Sequence, residues 1–108
     1  MNWIELVSCF FGGIFAGNAV PHYVAGVLGR PFQSPFAKPP GKGLSSSRVN
    51  VLWGLFNAVV AYVLVARVGA FHPGSTSHVL AFGLGVLAIS LNSAHHFGRF
   101  HGGNAPRP

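Results

Sequence analysis

Three apolar runs, at residues 3–20, 49–66 and 79–97, alternate with stretches rich in Pro, Gly and Ser. A helix crosses the hydrocarbon core of a bilayer with about 20 mostly apolar residues. The pattern therefore predicts helices over residues 3–22, 49–67 and 79–97, joined by loops over 30–48 and 68–78. The expected fold class is an all-α integral membrane protein. A single transmembrane domain over residues 1–108 would hold three transmembrane helices packed as a small bundle. Trp3 stands where an interfacial aromatic belongs. Pro21 follows Gly17 by four. A proline there removes one backbone bond and crowds the carbonyl four residues back. A kink is expected over 17–21, then an interfacial turn over 23–29 with Gly29 as the cap. Ser45, Ser46 and Ser47 are placed to cap the second helix, and Thr76 and Ser77 the third.

Composition sharpens the picture. Half the residues are hydrophobic and 7% are charged, against about 25% charged in soluble domains. That balance excludes a water-soluble domain. Glu5 is the only acidic residue. No basic region precedes the first run, so it is expected to be a retained helix rather than a cleaved signal. Cys9 is the single cysteine, which rules out an internal disulfide and leaves a small packing residue.

The bases set an expected orientation. Arg30, Lys38, Lys42 and Arg48 lie between the first two helices, and Arg99 and Arg107 follow the third. Arg67 alone falls with the second loop. Lys and Arg concentrate on the cytoplasmic side, so the N-terminus is expected outside and the C-terminus inside. Phe32 and Phe36 interleave with Arg30, Lys38, Lys42 and Arg48, as in a loop resting on anionic lipid headgroups. Pro31, Pro35, Pro39 and Pro40 favour extended, polyproline-like backbone in that loop. The bases form no stripe between stacking aromatics, so nucleic acid is not an expected partner. The run Gly41-Lys42-Gly43-Leu44-Ser45 lacks the spacing and the preceding strand of a phosphate-binding loop.

Small and polar residues recur at helical spacing. The first helix carries Gly13 and Gly17. The second carries Asn50, Gly54, Asn57, Ala58 and Ala61 on one face. The third carries Ala81, Gly85, Ala88 and Asn92, continuing to His95 and His96. Small residues four apart let helix backbones approach, and Asn side chains hydrogen-bond across helices. Three helices cannot hide every such face, so self-association or docking into a larger membrane complex is expected.

Two spans end alike, in Asn18-Ala-Val-Pro-His22 and Asn92-Ser-Ala-His-His96. Each Asn precedes its His by one turn on one helix face. Both pairs fall at the predicted cytoplasmic end, and His101 follows. Three readings stay open. The histidines are simply satisfied by neighbours; or His22 with His95 or His96 holds haem b axially; or His22, His96 and His101 hold a transition metal such as zinc or copper. Histidine also suits a proton relay. At the other end lie Glu5, His72, His78 and Arg67, with Glu5 expected to be hydrated or paired to Arg67. Glu5, Asn18, Asn57 and Asn92 are the intramembrane polar candidates. A serine hydrolase is disfavoured, because the one carboxylate lies across the membrane from the inner histidines.

The stretches Asn18-Ala-Val-Pro-His22, Pro35-Phe-Ala-Lys-Pro-Pro-Gly41, Val49-Asn-Val-Leu-Trp-Gly54 and His96-Phe-Gly-Arg-Phe-His-Gly-Gly103 resemble those of short, uncharacterised bacterial inner-membrane proteins. The resemblance covers nearly the whole chain and implies a multi-pass protein of the bacterial inner membrane. It brings no activity or cofactor. The expected function is a small non-enzymatic membrane protein acting as a homo-oligomer or as an accessory subunit. The alternatives are a haem- or metal-binding electron-transfer subunit, and a small oligomeric transporter or channel lined by Asn57, Asn92 and Glu5.

Overall fold

The computed structural model describes residues 2–105. Arg107, counted above among the bases of the C-terminal side, lies outside the described residues. The chain folds as α1 (Trp3–Val27), a short antiparallel pair β1 (Phe32–Gln33) and β2 (Leu44–Ser45), α2 (Ser47–Tyr62) continued by a π-helical segment (Val63–Val68), and α3 (Thr76–His101). The three helices, the second taken through its π segment, are each long and apolar enough to cross a membrane.

The helix ends follow from capping chemistry. Asn2 caps α1 through Ile4 N–H at 2.9 Å. Ser46 caps α2 through Val49 N–H at 3.2 Å. The cap of α3 is Ser75, which accepts from His78 N–H at 3.2 Å; Thr76 and Ser77, expected to serve, lie within the helix. Gly102, with φ of 82°, closes α3 in the left-handed region that glycine tolerates. Helix α1 does not stop at Pro21 but runs on to Val27. Leu28 caps that end and Gly29 turns the chain with φ of 73°.

Helix α1 is the shared element: it packs against α2 on one side and α3 on another, while α2 and α3 barely touch. Close approach depends on glycine. A Cβ on Gly13 would run into the Phe82 carbonyl, and one on Gly85 into the Phe10 carbonyl. On the other side a Cβ on Gly54 would stand 2.8 Å from the Tyr23 nitrogen. Gly17 faces the Ile89 side chain of the same chain. Of the α2 face, Asn50, Gly54, Asn57 and Ala61 are buried, but Ala58 is exposed.

The face of α3 departs from the expected stripe. Its buried side runs through His78, Gly85 and Gly98, with Phe82, Ile89 and Ser93 partly covered. Ala88, Asn92 and His95 are exposed. A register of small residues and the register that meets α1 differ here by a fraction of a turn, because Phe82 and Ile89 fill the contact beside Gly85.

The loop between α1 and α2 is compact rather than extended. Phe32 pairs with Ser45 and Gln33 with Leu44. Between them Gly41 N–H returns to the Ser34 carbonyl at 2.8 Å, and Ser34 and Ser45 join hydroxyls. The prolines shape turns inside this strap. Arg30, Lys38, Lys42 and Arg48 are all exposed on it or beside it.

Candidate functional site

At the end of the molecule covered by the strap, a cavity of about 270 Å³ opens between the helices. Asn18 and His22 of α1 and Trp53 of α2 line it, with Asn92, Ser93 and His96 of α3 opposite. Gln33, Ser34 and Gly41 of the strap close its end. The two Asn–His pairs read from the sequence thus meet around one space.

Asn50 organises this end. It is fully buried. Its amide nitrogen donates to three carbonyls: Phe32 at 3.2 Å, Ser45 at 3.2 Å and Ser46 at 3.0 Å. That fixes which end of the amide is oxygen. The oxygen then accepts from His22 Nδ1 at 2.8 Å. The proton of His22 therefore sits on Nδ1, and Nε2 carries a lone pair. His22 is 2% exposed, and Nε2 has no partner among the described residues. Around the ring stand Phe32, Trp53 and Phe97, each edge-on to it.

The other polar groups divide into spent and unspent. Asn18 donates to Asn57 at 3.1 Å, and Asn57 donates to the Trp53 carbonyl at 2.8 Å. Asn57 is thereby committed inside the α1–α2 contact. His96 is held at both nitrogens: Arg99 donates to Nδ1 at 2.7 Å, so Nε2 bears the proton and donates to the Gly41 carbonyl at 2.7 Å. His101 stacks on Phe32 and binds the Gln33 amide oxygen at 2.8 Å. His96 and His101 thus pin the strap to α3. His95 is exposed, and Asn104 meets its carbonyl rather than its ring. Asn92 and Ser93 have no side-chain hydrogen bond among the described residues, although both line the cavity. The Trp53 indole N–H is buried without a partner.

The metal and haem candidates are therefore placed apart in role. His22 has one free nitrogen, His96 has none, His101 is tied to the strap and His95 faces away. Among the described residues no group of three or more His, Cys, Asp or Glu side chains is placed to hold a metal ion.

At the opposite end Glu5 meets His78, with His78 Nε2 3.3 Å from the carboxylate. This corrects the expected pairing with Arg67, which is exposed. His78 Nδ1 accepts from His72 N–H at 3.0 Å, so the proton lies on Nε2, toward Glu5. Phe71 stacks on the other side of the ring. Nearby, the wide π turn of Val63–Val68 is stitched to α1. Ser8 donates to the Leu64 carbonyl, and Cys9 lies 3.8 Å from the Gly69 carbonyl. Cys9 is fully buried and packs as a small residue.

Sequence reasoning found Asn18, His22, Asn92 and His96, and missed Gln33, Ser34, Trp53 and Ser93. A tight serine-rich return at both ends of the strap was the available sign for Ser34. Ser93 stands one residue beyond Asn92, where a slightly rotated α3 turns it inward. No protein-family model, curated protein or solved structure matches this chain.

Proposed function

We propose that this is a multi-pass membrane protein without enzymatic activity, which works by associating with other membrane helices as a homo-oligomer or accessory subunit. The exposed face of α3 carries the reading. Within its most apolar stretch α3 is only 11% buried, against 28% for α1. Gly83, Ser90 and Ala94, spaced 7 and 4 apart, form one exposed stripe on it, and nothing in the chain approaches the Cβ position of Gly83. Lipid offers no partner to an exposed Asn or Ser in the hydrocarbon region, whereas a second helix does.

In this reading the strap end is cytoplasmic. Its exposed Arg30, Lys38, Lys42 and Arg48 rest on anionic headgroups, and the setting is a bacterial inner membrane. Crosslinking in native membranes tests the association. With Cys9 replaced by Ala, a cysteine at Ser90 is expected to crosslink to a neighbouring chain. A cysteine at Leu80, also exposed on α3 but among leucines, is expected to stay unlinked. Equal, background-level crosslinking at both would remove this face from the proposal.

A further inference from the structure

The polar cavity has an apolar neighbour along α1. Ile4, Phe11, Phe15, Asn18 and His22 are spaced 7, 4, 3 and 4 apart, which places them on one stripe of α1. Asn18 and His22 floor the cavity. Ile4, Phe11 and Phe15 floor a second, apolar hollow of about 640 Å³, walled by Leu64 and Val68. Trp53 of α2 walls the first, and Leu64 and Val68 of the π segment that continues α2 wall the second. The two hollows therefore follow each other in one trough along α1, the apolar one reaching Phe15 and the polar one beginning at Asn18, about one turn on, with no lining residue common to both.

We infer that this trough binds one molecule of a single-chain lipid with a flat, uncharged, hydroxyl-bearing head: the chemistry of a prenyl quinol. The head belongs in the polar chamber. At about 270 Å³ it falls just under the usual range of ligand pockets, about 300–1,000 Å³. It takes a ring, and the tail must lie outside it along Phe15 and Phe11.

Hydrogen-bond accounting selects the head. On α1 the chamber meets His22 Nε2, a lone pair on a ring almost wholly buried, and the Asn18 amide, which gives one N–H to Asn57 and keeps its oxygen and second N–H; on α2 the buried Trp53 indole N–H has no partner. The His22 lone pair needs a donor, and a hydroxyl supplies one. Across the chamber Asn92 and Ser93 bring amide and hydroxyl donors for an oxygen on the far side of the ring. Trp53, His96 and Phe97 also line the space.

Charge accounting excludes an ionic head. No Lys, Arg, Asp or Glu lines either hollow. Lys38 and Lys42 are exposed on the strap, and the Arg99 guanidinium is committed to His96. A phosphate in the chamber would be desolvated without a counter-ion.

The inference needs a membrane setting but not association, so its test does not depend on oligomeric state. The full chain carrying Trp3→Phe leaves Trp53 as the only tryptophan. Reconstituted in phosphatidylcholine nanodiscs, it is titrated with decyl-benzoquinol, with the oxidised decyl-benzoquinone, and with dioctanoylphosphatidylglycerol, following Trp53 fluorescence. Saturable one-to-one binding of the quinol is expected. The quinone has no donor for the His22 Nε2 lone pair, so it should bind about tenfold more weakly, one lost hydrogen bond. Asn92 is exposed and bonds nothing in the chain, so Asn92→Leu should fold normally and weaken the quinol about tenfold. The inference is overturned by no saturable quinol binding, by equal affinity for quinone and quinol, by an unchanged Asn92→Leu affinity, or by competition from phosphatidylglycerol.

Discussion

Single side chains at the strap end carry unequal weight, and Asn50 carries the most. Four hydrogen bonds converge on it, joining α2, the strap and His22. Replacing it by Leu removes the side-chain partner of the Phe32 and Ser45 carbonyls and of the His22 imidazole N–H, while the Ser46 carbonyl keeps the backbone N–H of residue 50. Each loss costs about 0.5–1.5 kcal/mol, so Asn50→Leu is expected to destabilise the fold by about 2–4 kcal/mol in a reversible detergent unfolding assay. His95, exposed and one residue from His96, sets the contrast. His95→Ala should stay within about 0.5 kcal/mol of the parent. Equal effects of the two substitutions would contradict the role given to Asn50. At the far end His78 donates to Glu5 from Nε2 and needs only an acceptor there. Glu5→Gln, with its amide oxygen turned inward, is expected to preserve the fold, and Glu5→Leu to lose about 1 kcal/mol or more.

Between elements, the fold rests on the backbone contact of α1 with its two neighbours. Gly85 lies against the Phe10 carbonyl, with no flexible side chain there to give way. Gly85→Val is therefore expected to part α1 from α3 and to cost at least about 2 kcal/mol. Gly83, two residues earlier, meets open space. Gly83→Ala should be neutral or stabilising by about 0.4–1 kcal/mol, through the unfolded chain and helix propensity. Unfolding midpoints of the pair decide whether close approach or mere apolarity holds α3 in place.

This is also the scale at which the sequence was most and least informative. Three apolar runs located three helices. Hydropathy marks where lipid-like surface stops, however, and not where the backbone stops being helical. Helix α3 thus gains a turn past residue 97, where His101 reaches the strap, and α1 runs on through Pro21 to Val27. The cluster of Asn18, His22, Asn92 and His96 was legible because α1 and α3 run in the same direction and repeat one spacing. The pairing of Asn50 with His22 was not. It joins residues 28 apart through a strap whose fold depends on hydroxyl and carbonyl bonds that leave no periodic trace. The partial cover of Ser93 beside an exposed Asn92 was equally hidden, since both positions satisfy a helical face within half a turn.

At the scale of the whole molecule, orientation and association go together. The exposed bases of the strap oppose the His72-Pro73-Gly74 turn at the other end, and positive residues stay on the cytoplasmic side. With Cys9 replaced by Ala, a cysteine at Gly74 is expected to react with an impermeant thiol reagent added outside intact cells. A cysteine at Lys42 should react only after the membrane is opened. The reverse pattern would invert the orientation. Association is the central claim, and the mass of the particle gently released from its host membrane tests it most directly. A native mass spectrum is expected to show two or more copies of the chain, or one copy with another membrane protein. A spectrum holding only single chains, under conditions where known membrane complexes of the same cells stay intact, would contradict it.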